Sequence, residues 1–451
     1  MTSDRQQAAI AESPLRVLHL SNDFYPQVTG GTEIFIHQLI EAQRSRPVPH
    51  QVLWASHRTI SRATDHAPHV PLTPLQRQLP QVPPISRLGQ VERRSAGIPG
   101  FLELLVDFRP HVVHLHSLSD RCGLDHVIAA RRSSARVVLT VHAPGFTCMQ
   151  GSLLYHRKRI CDGEIREHRC NECRLVNGGV PPLLATLLSA QSGWPLGLEA
   201  SGRLAHLLTA RQLTAAFRRG WLQLVQHLDG LHALADWSRQ VLLRNGVPPH
   251  KLRLIRTGGP PALPPRRRQP MQDGLLRLVY WGRCAEVKGL HLVIEAIQSL
   301  PRQLPIELSF YGPYWSNHYG QAMQRRISAD PRFRICGPVP KDQLLPVLQN
   351  YDLAVVPSTC LETGPLTVLE AFAAGLPVAG SDLGGIRELL NGSSAGWLLP
   401  LQASAWKELF RKLVSEPSLL GPKIPVPRTF TALADDLLDL YCPPTSQEPE
   451  P

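Results

Sequence analysis

Two consecutive α/β domains, each a parallel sheet with helices on both faces, are what this sequence predicts, on three observations. Short apolar runs alternate with segments of helical period, the pattern of strands buried on both faces and of the helices covering them. The alternation runs from Arg16 to Ile255, stops, and restarts at Leu276. Between the halves stands Gly258-Gly259-Pro260-Pro261, then Pro264-Pro265 and three arginines, Arg266 to Arg268, which reads as a linker. Two Rossmann-like, doubly wound domains facing a central cleft follow from this layout. A chain of 451 residues, 43% hydrophobic and 19% charged, has the length for two cores and is too apolar to be disordered.

The first domain is expected over residues 16–258. Residues 17–20 read as a buried strand, followed by a Gly30-Gly31 turn and a helix from about Thr32 with Ile36, Leu39 and Ile40 on one face. Further strands are expected at 52–55, Val112–Leu115, 137–141, 231–235 and 252–255. Two insertions interrupt the pattern. Residues 61–100 are proline-rich and aperiodic, and read as a surface excursion. Residues 148–226 start cysteine-rich and end in a basic amphipathic helix. The second domain, residues 259–427, carries strands at Leu276–Trp281, Ile306–Tyr311, 333–336, Leu353–Val356 and 377–380, with a helix near 292–300. A helix is expected over 428–441, after the second sheet and able to cross back to the first domain. Residues 1–15 and 442–451 read as flexible tails.

Composition narrows the functional classes. Lys plus Arg number 48 against 36 Asp plus Glu, a net charge of +12, which favours anionic partners: nucleotides, phosphates, acidic lipid headgroups or nucleic acid. The basic residues are dispersed and no nucleic-acid motif is present, so no nucleic-acid partner is expected. No apolar run reaches the ~18 residues that span a bilayer, and the polar start lacks a signal-peptide core. A cytoplasmic protein is therefore expected. Nine cysteines, an odd number, argue against a disulfide framework.

Residues 358–388 carry the most chemistry. The apolar strand there runs into a small-residue loop, and a helix opens at about Pro365, a residue that sacrifices no needed N–H at a first helical position. A free helix N-terminus favours an anion. Glu362 sits before the helix and Glu370 about one and a half turns into it, so the pair can bracket a phosphorylated ligand. Glu370 is flanked by Val368, Leu369, Ala371 and Phe372. A glutamate among such neighbours needs a partner, whereas a solvated surface charge would not.

These two glutamates, with seven residues between them and followed by A-F-A-A-G-L-P-V, resemble the family-four retaining glycosyltransferases of the GT-B fold. Other segments agree in order. Tyr280-Trp281-Gly282-Arg283 with Lys288-Gly289 looks like the family's G-R-x4-K-G signature. Residues 24–33, F-Y-P-Q-V-T-G-G-T-E, look like its N-terminal glycine loop, and Thr140-Val141-His142 looks like its T-x-H. Tyr311-Gly312-Pro313 and Gly337-Pro338-Val339 also fall in place.

The resemblance implies a hexosyltransferase that uses a nucleotide-sugar donor and retains anomeric configuration. Arg283 and Lys288 would neutralise the diphosphate. Glu370 would accept hydrogen bonds from the ribose, and the backbone of Val339 would meet the base. Glu362, with the backbone of Thr363, Gly364, Pro365 and Leu366, would hold the donor sugar. His142 would lie near the transferring sugar, and with Glu362 forms the catalytic pair. Gly30 and Gly31 would let the acceptor-side loop approach closely. The acceptor would be a glycan, a lipid-linked glycan or a small molecule, in polysaccharide or glycoconjugate biosynthesis, and catalysis would need no cofactor. The chain departs from the family at Ala143, where Asp is common, at Thr257-Gly258-Gly259 in place of Asn-Gly, and at Gly364-Pro365. An epimerase of the same fold, or a non-catalytic binding protein, are the competing readings.

Two features stand outside the resemblance. Cys148, Cys161, Cys170 and Cys173 form C-x12-C-x8-C-x2-C; four thiolates can close a tetrahedral structural zinc site, and the alternative is four ordinary thiols in a loop. Residues 181–228 are apolar with interspersed arginines. They suit either a peripheral contact with the inner, anionic membrane face or an ordinary helix pair packed on the first domain.

Overall fold

The computed structural model describes residues 14–28, 30–57, 71–83, 85–190, 209–264 and 269–442. The chain forms two compact units, residues 1–256 with 430–451, and residues 257–429. Of the tails expected over 1–15 and 442–451, residues 1–13 and 443–451 lie outside the described residues, whereas Leu15 is buried and its carbonyl accepts from the Gln51 N–H at 2.8 Å.

In the first unit the strands are β1 (Arg16–Leu20), β2 (Gln51–His57), β3 (Gln76–Leu79), β4 (Val112–Leu115), β5 (Arg136–Val141), the short hairpin β6 (Leu154–Tyr155) and β7 (Arg159–Ile160), β8 (Gly230–Ala233) and β9 (Leu252–Leu254). The main sheet runs β3-β2-β1-β4-β5-β8-β9 with every pairing parallel. β4 and β8 are buried at every position, as strands covered on both faces must be, which is why they read as apolar runs. β3 corrects the reading of residues 61–100 as a plain excursion. Its sequence Q-R-Q-L is polar and its middle two residues are exposed, because an edge strand has no second neighbour to bury them. A short helix, Arg87–Val91, follows it in the same segment.

The helix expected over 428–441 is two helices, Phe430–Asp436 and Leu438–Tyr441, separated at Leu437. Both belong to the first unit, where Leu433, Leu437, Leu440 and Tyr441 are buried and the Phe430 ring meets that of Phe35 at 5.6 Å. The Ala210–His227 helix buries Leu213, Phe217, Trp221 and Leu224 in the first core, so this part of the basic insertion is a packed helix. The Pro182–Ala190 helix leaves Leu183, Leu184 and Leu187 exposed, and residues 191–208 lie outside the described residues. Among the described residues no helix is long and apolar enough to cross a membrane.

The second unit holds β10 (Leu276–Trp281), β11 (Ile306–Tyr311), β12 (Phe333–Gly337), β13 (Leu353–Val356), β14 (Val378–Ser381) and β15 (Gly396–Leu399), ordered β12-β11-β10-β13-β14-β15 and parallel throughout. In both sheets the strand order reverses beside the first strand, between β1 and β4 and between β10 and β13. Loops leaving the carboxyl ends of such a strand pair diverge and leave a crevice where ligands bind.

Candidate functional site

The loops after β10 and β13 meet at the switch point of the second sheet. Lys288 leaves the first of these loops and Glu362 the second, and Lys288 Nζ donates to Glu362 Oε1 at 2.6 Å. The Ser358 hydroxyl donates to the same oxygen at 2.8 Å. Burial pushes the Glu362 carboxyl up, but Lys288, Ser358 and the nearby Arg283 outweigh it and hold it below the usual range. Burial likewise works against the Lys288 charge, and Glu362 more than restores it, so that pKa is raised. The turn carrying Lys288 depends on Gly289, whose φ is +69°, and a Cβ there would stand 1.9 Å from the Pro357 carbonyl oxygen. Gly289→Ala is therefore expected to cost a few kcal/mol of stability in denaturant unfolding and to displace Lys288. Arg283 is exposed beside the pair, its carbonyl accepting from the Tyr280 hydroxyl at 2.8 Å.

Glu370 is only 9% exposed and lies in the Leu366–Ala373 helix, which is capped by Pro365 and so opens one residue later than expected. The indole Nε1 of Trp281 donates to its Oε2 at 2.7 Å, so the end of β10 supplies the partner that the sequence demanded. Burial raises the Glu370 carboxyl, with Trp281 and then Lys341 pulling it back. Lys341 opens the Lys341–Leu348 helix, and burial pulls its ammonium down to about 8 against the attraction of Glu370. Thr363, Gly364, Pro365 and Leu366 form the stretch between the two glutamates, with Thr363 and Pro365 buried. Gly385 N–H donates to the Glu362 carbonyl at 2.7 Å and tethers this stretch. Val339 is half-buried in the loop between β12 and the Lys341–Leu348 helix.

In the first unit His142 follows β5 and is joined to a polar ladder on one sheet face. Residues two apart on a strand share a face, so His114 of β4 and Thr140 of β5 line it with His116 and His142, which stand just past the ends of those strands. His19 of β1 stands in register with His114, and His232 of β8 with Thr140. Hydrogen bonds connect them all. Burial lowers His19 to about 4 and His142 to about 3, and His114 and His116 well below the usual value, so these rings are neutral.

With His232 neutral as well, every proton has one place. The Ile255 carbonyl can only accept, so His232 donates to it from Nε2 at 2.8 Å. His232 Nδ1 then accepts from the Thr140 hydroxyl at 2.9 Å, which accepts from His114 Nε2 at 2.6 Å. His114 Nδ1 accepts from the Tyr441 hydroxyl at 2.7 Å, which accepts from the Gln43 amide at 3.1 Å. Gln43 Oε1 accepts from His19 Nε2 at 2.8 Å, and His19 Nδ1 accepts from His116 Nε2 at 2.9 Å. His116 Nδ1 finally accepts from His142 Nε2 at 3.0 Å. One carbonyl thus sets His142 as the Nε2–H tautomer, with Nδ1 its basic nitrogen.

Gly30 (φ −85°) caps the Gly31–Arg44 helix and Gly31 opens it; neither adopts a left-handed conformation. A Cβ on Gly31 would meet nothing within 4 Å, so the protein's own packing does not require a glycine at that position. The four cysteines Cys148, Cys161, Cys170 and Cys173 line a single small cavity in the insertion after β5.

Residues 276–416 match the model of glycosyl transferases group 1, and residues 29–174 that of glycosyltransferase family 4. The chain belongs to the group 1, family 4 glycosyltransferases. It is 30% identical over 208 residues to the amylovoran biosynthesis glycosyltransferase AmsK of Erwinia amylovora, covering 43% of this chain and 49% of that protein. It is 24% identical over 241 residues to the putative colanic acid biosynthesis glycosyltransferase WcaL of Salmonella typhimurium, covering 49% and 59%. The matches therefore span about half the length of these relatives. The structure of Anabaena Alr3699/HepE in complex with UDP superposes with a TM-score of 0.55 at 14% identity, covering 94% of this chain and 95% of that one. The fold is GT-B, two Rossmann-like domains.

Sequence reasoning missed several residues of the candidate site. Trp281 stood in a quoted motif but not as the Glu370 partner, and Lys341 carried no signal of its own. The ladder did leave one: V-V-H-L-H and T-V-H alternate polar with apolar positions inside strands otherwise apolar throughout.

Proposed function

We propose that this family member is a retaining hexosyltransferase that moves a sugar from a nucleoside diphosphate to a glycan, lipid-linked or small-molecule acceptor in polysaccharide or glycoconjugate biosynthesis. The observation that carries the proposal is the Lys288–Glu362 pair at the switch point of the second sheet, with Glu370 in the helix that follows. A diphosphate suits Lys288, Arg283 and the N-terminus of the Leu366–Ala373 helix, which together supply the positive field that a divalent ion supplies elsewhere. Glu370, raised by burial, is suited to accept from ribose hydroxyls, which would bring its carboxyl back down. Glu362 and the backbone of Thr363 to Leu366 are assigned to the donor sugar, and the Val339 backbone to the base.

The two glutamates do not act as the nucleophile and acid of a retaining hydrolase. In the proposed step the glycosidic bond to the leaving diphosphate breaks, and the acceptor oxygen attacks from the same face while its proton passes to a phosphate oxygen. Positioning and stabilisation of the leaving charge are the main catalytic terms. His142, with Nδ1 basic, is suited to accept a hydrogen bond from a sugar hydroxyl on the acceptor-side unit.

A thermal-shift screen with UDP-, GDP- and ADP-sugars and the free nucleotides tests the donor site. One nucleotide series at about 100 times its Kd should stabilise by roughly 2.7 kcal/mol. That shift should vanish in Glu370→Ala, and anomeric NMR of the product should show retention. No shift with any series overturns the reading, and release of an altered free sugar without an acceptor replaces it with an epimerase.

A further inference from the structure

We propose that Cys148, Cys161, Cys170 and Cys173 hold one structural zinc ion that staples the insertion after β5. The topology brings them together from three separate pieces of chain. Cys148 ends the tight turn after the Pro144–Phe146 helix, its N–H donating to the Pro144 carbonyl at 3.0 Å. Cys161 follows the β6–β7 hairpin, whose turn places His156 and Arg157 at positive φ, and its N–H closes on the Leu153 carbonyl at 2.8 Å. Cys170 and Cys173 stand three residues apart near the start of the Glu167–Asn177 helix, and so on one face. All four line a cavity of about 30 Å³. That volume suits a single ion or water and excludes an organic ligand.

The surroundings suit a thiolate centre. Cys173 Sγ donates to the Leu154 carbonyl at 3.8 Å and accepts from the His156 N–H at 3.4 Å and the Asn177 amide at 3.7 Å, two donors that would also serve a thiolate there. Cys161 and Cys170 likewise turn to weak oxygen acceptors, Asp162 Oδ1 and the Glu164 carbonyl, each at 3.8 Å. Side-chain rotation would draw the sulfurs in to the ~2.3 Å of a zinc–sulfur bond. Four thiols binding one Zn²⁺ release four protons and leave a centre of net charge −2. The Arg169 guanidinium, held by Asp162 at 2.8 Å, lines the same cavity.

The insertion also needs such a staple. Between Cys148 and Asn177 its buried apolar side chains are Leu153, Ile165 and Leu175, too few for a core of its own. Among the described residues the one group that brings three ligating atoms within 4.8 Å of one another is His19, His114 and His116, so the four sulfurs reach an ion only after side-chain rotation. Every ring nitrogen of that trio is already committed to a hydrogen bond of fixed direction, which leaves no lone pair for an ion.

The test is elemental analysis of the full chain purified without chelator. About one zinc per chain is expected, released by an organomercurial, and Cys170→Ser/Cys173→Ser should lower it at least tenfold while Cys336→Ser leaves it unchanged. Less than a tenth of an equivalent of metal in the wild type, iron in place of zinc, or disulfides among the four cysteines by mass spectrometry would each overturn the assignment. The wild-type measurement does not depend on the variants folding, nor on any activity of the second unit.

Discussion

Lys288→Ala should lower the stability of the protein by about 3 kcal/mol and abolish donor binding together, because it leaves a carboxylate buried without its counter-ion. The pair is about three-quarters buried, with Lys288 and Glu362 side chains 26% and 20% exposed, so the lower end of the range for a broken buried pair applies. The double variant Lys288→Met/Glu362→Gln separates the two effects. It removes both charges, so most of the stability should return, but the phosphate cation and the sugar acceptor are gone and binding should not. Urea unfolding and the nucleotide-sugar shift, run on both variants, check this; donor affinity recovered in the double variant would remove the pair from the site.

The pH dependence of the pair follows from the two opposite shifts. The Glu362 pKa is depressed in the folded state, so its contribution is present above the ordinary value of 4.5 and is lost as pH falls through the folded one. The Lys288 pKa is raised, so its contribution is complete below 10.5 and is lost as pH rises through the folded value. The wild type should therefore lose its stability advantage over the double variant at both extremes and keep it across neutral pH.

How much of this could be read from residues alone depended on what each residue had to satisfy. Interior strands such as β4 and β13 were legible because burial on both faces forces an apolar run. β3 was not, since an edge position leaves Arg77 and Gln78 in solvent and erases the signal. Glu370 was legible as a residue in need of a partner, yet the partner lies 89 positions away, and no local pattern names Trp281. Lys341 was invisible for a similar reason: one cation among 48 lysines and arginines becomes distinctive only when a helix start sets it near a buried carboxylate. The cysteine cluster was legible as spacing, while its convergence on one cavity needed the hairpin and the helix that the polar insertion conceals.

Acid should unfold the first unit above pH 4, earlier than carboxylate titration alone would cause. The sign follows from imidazoles that are kept neutral by burial: the unfolded chain takes up protons below about pH 6.5 that the folded chain refuses, so stability falls as pH falls. His19 and His50 are lowered to about 4, and His126 and His142 to about 3, each mainly by burial. Each such ring costs up to about 1.4 kcal/mol per pH unit across that window, so several acting together become comparable with the roughly 5–15 kcal/mol of a typical domain as pH 4 is approached. Circular dichroism against pH gives the midpoint, and a midpoint below pH 4 would show the rings to be more accessible than their packing implies. Tyr441→Phe probes the same ladder from its centre. It strands His114 Nδ1 and the Gln43 amide, at about 2–4 kcal/mol for two buried groups left unpaired. It also frees Gln43 to turn over, which uncouples His142 from the Ile255 carbonyl. Imidazole ¹⁵N shifts should accordingly report the Nε2–H form of His142 in the wild type and a mixture of tautomers in Tyr441→Phe. A wild-type His142 protonated at Nδ1 would break the chain of assignments at its functional end, because the hydrogen bond from His142 to His116 would then have to run backwards against a carbonyl that cannot donate.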